Sequence, residues 1–161
     1  MLVWAACAFG LIHAGFSAYW AFGGDWLLPT VGQWALRLAD ARPAQASIVL
    51  AAVALVKVAA AVAPVLNAYG RLPRSRLWRV ISWVGASALI LYGGANVIIA
   101  WLVLAGVITP TGGYDRTSML GHALLWDPLF LLWGLALLGH LLLSMDRRPP
   151  NGSATAKIGW P

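Results

Sequence analysis

The side chains able to do chemistry in this chain are few: three histidines, five aspartates, two lysines and ten tryptophans, with no glutamate and a single cysteine. Several of them interrupt long apolar runs. His13, Lys57, Asn96 and Asp127 stand in four separate runs. With a helical rise of 1.5 Å per residue, they fall ~13–16 Å from the same end of their segments. A polar group at mid-membrane depth costs about 2.5–3.5 kcal/mol and faces a bundle interior. On the first run Phe9, His13, Phe16, Ser17 and Trp20 recur at helical spacing and share a stripe. On the third, Tyr92 and Asn96 are one turn apart. On the fourth, His122, Trp126 and Trp133 share a face, with Asp127 about 100° round from Trp126. Pro128 follows Asp127 directly and lacks the N–H that the Leu124 carbonyl would need, so a kink or a freed acceptor is expected there.

A carboxyl in apolar surroundings can persist as a neutral acid at neutral pH. Aromatic faces attract cations by as much as ~2 kcal/mol when desolvated. An acid that protonates an alkene or epoxide, ringed by aromatics that stabilise the carbocation, is the chemistry this inventory fits best. Asp127 or Asp25 would donate the proton, and His13 or the other aspartate would take one back. Trp20, Trp26, Tyr92, Trp126 and Trp133 would line the cavity, with Lys57 and Asn96 among its polar groups. Other chemistries lack their residues. There is no His-Glu-x-x-His, Walker loop, dinucleotide glycine fingerprint, thiol pair or Gly-x-Ser-x-Gly. Three histidines at different depths make a poor metal site, and no cofactor is expected.

The elements that must position these groups follow from composition. Of 161 residues, 61% are hydrophobic and 10% charged, against roughly 45–50% and 25% for a soluble domain. So much apolar surface cannot be hidden in a globule of this size. Crossing ~30 Å of hydrocarbon takes about 20 apolar helical residues. Four stretches qualify, at about 2–24, 46–68, 78–107 and 118–144. The first lacks the charged start of a secretory signal and is too long for one. Short connections favour an all-α antiparallel bundle of four transmembrane helices, one domain over 1–145, followed by a basic, disordered tail over 146–161. In the first connection Trp34, Leu36 and Leu38 suit a short helix lying on the membrane surface.

Four spans put both termini and the middle connection on one side. That side holds Arg71, Arg74, Arg76, Arg79, Arg147, Arg148 and Lys157, while the other holds Arg37, Arg42 and Arg116. The positive-inside bias places both termini in the cytoplasm of a multi-pass cell-membrane protein. The net charge of +6 is thereby a topology signal rather than a nucleic-acid surface.

His13 with Trp20-Ala-Phe-Gly-Gly and Pro29, and Gly121-His122 with Trp126-Asp127-Pro128-Leu129, resemble a family of small four-helix actinobacterial membrane proteins of unassigned function. The resemblance spans most of residues 10–140. More remotely, the architecture is similar to membrane-bound terpene cyclases of indole-terpenoid (drimentine-type) and meroterpenoid pathways. That likeness implies a cyclase or isomerase of a lipid-soluble isoprenoid, started by an intramembrane acid. Fungal members of that group are usually longer, with more spans and a glutamate among their acids, a role only an aspartate could fill here. The competing reading is a non-catalytic multi-pass protein: an accessory subunit, a lipid-binding module or a proton-coupled carrier. In it Lys57 and Asp127 form an intramembrane ion pair, and His13 and Asn96 are interhelical glue. Its partner is the bilayer itself, and oligomerisation is left open.

Overall fold

A computed structural model describes residues 1–41 and 43–145. The tail over 146–161, with Arg147, Arg148 and Lys157, lies outside the described residues, as does Arg42. The chain is all-helical: α1 Leu2–Ala21, α2 Gln33–Ala41, α3 Pro43–Ala68, α4 Ser75–Leu104, α5 Arg116–Gly121 and α6 Asp127–Leu143. A 3-10 turn occupies Leu28–Thr30, and a π-helical turn over His122–Trp126 joins α5 to α6 without a break. Among the described residues four helices are long and apolar enough to cross a membrane: Leu2–Ala21, Ala44–Ala68, Ser75–Leu104 and Arg116–Leu143. The fold is compatible with a transmembrane bundle, and the spans fall within a few residues of those expected from hydropathy.

The ends of the helices have local causes. α1 stops because Gly23 takes a positive φ of 88°. The Gly24 and Gly23 amides then return to the carbonyls of Tyr19 and Trp20 and satisfy two orphan acceptors. The Asp115 carboxylate caps α5 by accepting from the Thr117 amide at 2.9 Å. The short surface helix expected around Trp34 forms as α2, with Ala35 buried and Trp34 exposed.

Helices of this kind associate by close packing rather than by hydrophobic force, since lipid is as apolar as leucine. α1 packs on α3 and α6, and α6 packs on α4, while α3 and α4 touch each other far less. Small residues sit at the closest approaches. A Cβ on Gly10 would lie 2.7 Å from Ala61 of α3 and from the Trp133 ring. One on Gly93 of α4 would lie 2.7 Å from the Leu131 nitrogen and 2.8 Å from the Asp127 carbonyl. Met1 and Trp4, the end of α3 at Tyr69, and the end of α6 at Ser144 line one cavity and so share one end of the bundle, here the terminal end. The opposite, loop end carries α2 and α5, joined by a 2.9 Å bond from the Gln33 amide to Asp115.

Candidate functional site

The deep polar groups lie between two apolar clusters. One holds Val3, Cys7, Ala61, Trp133 and Leu137 towards the terminal end. The other holds Trp20, Leu28, Ala35 and Trp126 towards the loop end. The His13 ring spans the junction, 3.9 Å from the centroid of Phe130 and 5.8 Å from that of Trp126.

Lys57 reaches from α3 to α1. Its ammonium lies 3.0 Å from His13 Nδ1 and donates to Ser17 Oγ at 2.9 Å. Ser17 donates in turn to the His13 carbonyl at 3.4 Å. An ammonium donating to Nδ1 leaves the ring proton of His13 on Nε2, which is buried without a partner. The Phe130 ring of α6 also receives the ammonium, 5.6 Å from its centroid.

Asp127 is 1% exposed. Its Oδ2 lies 2.9 Å from Nδ1 of His122, and Oδ1 is buried with no partner. His122 Nε2 meets the Val31 carbonyl at 3.2 Å, so both ring nitrogens face oxygens. An imidazolium donating to both fits this geometry. So does a neutral ring that donates to Val31 and accepts from a protonated carboxyl. Either way the pair holds one proton between its two members. The π turn makes the pairing feasible: residues five apart point about 140° away from each other on an α-helix, whereas π bonding runs from i to i+5. Pro128, which offers the Leu124 carbonyl no N–H, is the local reason for the irregularity.

The ion pair expected between Lys57 and Asp127 does not form. Lys57 is bound across α1, the neighbour of α3, while Asp127 is held by a histidine of its own span. His13 and Lys57, expected only at a common depth, are instead in direct contact, while Asn96 is half-buried on α4 and is not among their partners.

The aromatic candidates divide. Trp126 is buried, with its indole N–H donating to Thr30 Oγ1 at 3.0 Å. Trp20 meets it edge-on at 5.2 Å and donates to the Trp26 carbonyl at 3.0 Å. Trp133 is buried in the packing against Gly10 and Phe130. Trp26 is 64% exposed and Tyr92 55%, so neither ring is enclosed around Asp127. Asp25 is exposed at the loop end, where it lines a cavity of about 490 Å³ with Trp20, Trp34, Asp40 and Ser47. The two candidate acids thus occupy different places: one sealed and paired, the other open to a cavity. Sequence reasoning assigned no partner role to Phe130, Thr30 or Val31. Only Ser17, one turn after His13, carried a readable signal.

Among the described residues no group of three or more His, Cys, Asp or Glu side chains is arranged to hold a metal ion. A family model described as a protein of unknown function, DUF3995, matches residues 10–137, and the chain belongs to that family. The match covers the segment on which the family resemblance rests. It lends no support to the likeness to terpene cyclases or to an actinobacterial origin. No curated protein and no solved structure matches the chain.

Proposed function

We propose that this chain is a non-catalytic multi-pass membrane protein whose deep polar groups lock its helices together, with both termini facing the cytoplasm. The observation that carries this reading is the enclosure of Asp127: 1% exposed, with His122 on one carboxylate oxygen. An acid so enclosed, with a histidine on one oxygen, is placed to hold structure together. His122 in turn ties the fourth span to the loop after α1 through the Val31 carbonyl, and Lys57 ties α3 to α1. The orientation rests on Arg71, Arg74, Arg76 and Arg79 at the terminal end. Thermal unfolding of the purified Asp127→Asn protein tests the locking role. A clear fall in Tm is expected. An unchanged Tm would remove the lock and return Asp127 to the candidates for chemistry.

The cavity at the loop end favours a second reading. There Asp25 stands beside Trp20 and Trp34 at the mouth of about 490 Å³ of largely apolar space. This is the setting in which a carboxylic acid could start isomerisation of an isoprenoid alkene or epoxide, with Asp25 rather than Asp127 as the donor. Membranes fed linear isoprenoid epoxides and prenylated indoles would then yield an isomer of unchanged mass. Its loss in Asp25→Asn and persistence in Asp127→Asn would support this reading over the first.

A further inference from the structure

The looseness between α3 and α4 leaves a groove at the terminal half of the bundle that the locking groups do not use. About 380 Å³ is lined by Ala60, Ala63, Ile81, Gly85 and Leu89, and floored by Trp133 and Leu137 of α6. Its lining is almost wholly apolar. Towards the terminal end it adjoins a second, more polar space of about 370 Å³, with Pro64 and Ser82 lining both. Asn67, Ser75, Arg76, Arg79 and Ser144 line this mouth.

Charge decides what the mouth suits. Arg79 donates to Ser144 Oγ at 2.9 Å and to the Leu141 carbonyl at 2.8 Å, so both of these partners are neutral. Arg76 beside it is exposed. Among the described residues no carboxylate pairs with either arginine, since Asp25, Asp40 and Asp115 lie at the loop end and Asp127 is held by His122. The Asn67 amide oxygen is buried at the same mouth without a partner and needs a donor.

Length decides the rest. From Arg79 to Leu89 α4 rises roughly 15 Å, which is half of a ~30 Å hydrocarbon core. A phosphate held at the arginines would therefore sit at the membrane surface with an acyl chain running to the midplane along the groove. We propose that the α3–α4 groove is a binding site for an anionic, hydroxyl-bearing glycerophospholipid, with the phosphate on Arg76 and Arg79, a headgroup hydroxyl on Asn67 and one acyl chain against Gly85 and Trp133. The site is independent of either reading of the loop end.

Native mass spectrometry of the full chain released from detergent tests it, with phosphatidylglycerol, phosphatidylcholine and soluble glycerol phosphate as probes. Phosphatidylglycerol should be retained as a one-to-one adduct at least about fivefold more than phosphatidylcholine, which is the weight of one arginine near a surface. Gly85→Leu should abolish the adduct. Gly85 lines the groove and a Cβ there meets nothing within 4 Å, so the new side chain starts into open space, and an unchanged Tm checks that the fold is kept. Arg76→Gln should weaken the adduct about fivefold. Equal retention of the two lipids, or an adduct that survives Gly85→Leu, would overturn the proposal. Displacement of phosphatidylglycerol by glycerol phosphate at equal concentration would also overturn it, by reducing the site to a phosphate contact.

Discussion

At the scale of residues, a buried polar atom that loses its partner costs free energy. Trp126 shows the cost plainly. Its indole N–H has Thr30 Oγ1 as partner in the apolar cluster at the loop end. Thr30→Val would strand that donor at about 1–3 kcal/mol, whereas Thr30→Ser keeps the oxygen. Thermal unfolding should show a lower Tm for the valine variant than for the serine variant. At the loop surface, the Gln33 amide holds the Asp115 carboxyl below the usual carboxylate range, helped by the Thr117 and Ser118 amides. A carboxyl lowered by folding adds stability at pH values above its ordinary range, and that stability is lost as pH falls through the folded-state value. Carboxyl-carbon NMR titration of Gln33→Ala should find the Asp115 pKa raised towards its ordinary value.

At the scale of elements, the phase of the fourth span is the feature on which the site depends. The π turn over His122–Trp126 rotates His122 onto Asp127. Pro128→Ala restores the missing N–H and allows an ordinary α register, so the pair should separate. Proline is normally costly inside a helix, yet this replacement should lower Tm. Close packing gives a matched comparison on α4. Gly93→Ala drives a Cβ against the α6 backbone and should cost about 1–3 kcal/mol, while Gly85→Ala meets nothing and should be neutral. The spans were legible because twenty-odd apolar residues have one common explanation, and α2 was legible from Trp34, Leu36 and Leu38. Trp126-Asp127-Pro128 was also legible as the unusual segment. The partners were not. A 100° period separates His122 from Asp127, and only the π turn undoes that phase. Which span lies beside which is equally invisible in hydropathy, so Lys57 was matched to Asp127 when α3 packs on α1.

At the scale of the whole molecule, charge is distributed along the bundle axis. Arg71, Arg74, Arg76 and Arg79 gather at the terminal end, while Asp25, Asp40 and Asp115 lie at the loop end. The excess of arginines at one end, against Arg37 and Arg116 at the other among the described residues, is what orients a helical bundle in a membrane, and it also supplies the basic mouth of the α3–α4 groove. In a Cys7→Ala background, a membrane-impermeant maleimide applied to intact cells should label Gly112→Cys at the loop end. Ser75→Cys at the terminal end should stay unlabelled. The reverse pattern would invert the proposed orientation.

The most direct measurement is a double-mutant cycle on His122 and Asp127, read by unfolding of the purified protein. If the pair locks the fourth span, His122→Leu and Asp127→Leu should each be strongly destabilising. The double replacement should then recover much of the loss, because leaving the buried Asp127 carboxyl without its partner costs more than replacing both groups. The account predicts a coupling above about 1 kcal/mol. Additive losses with no coupling would contradict it.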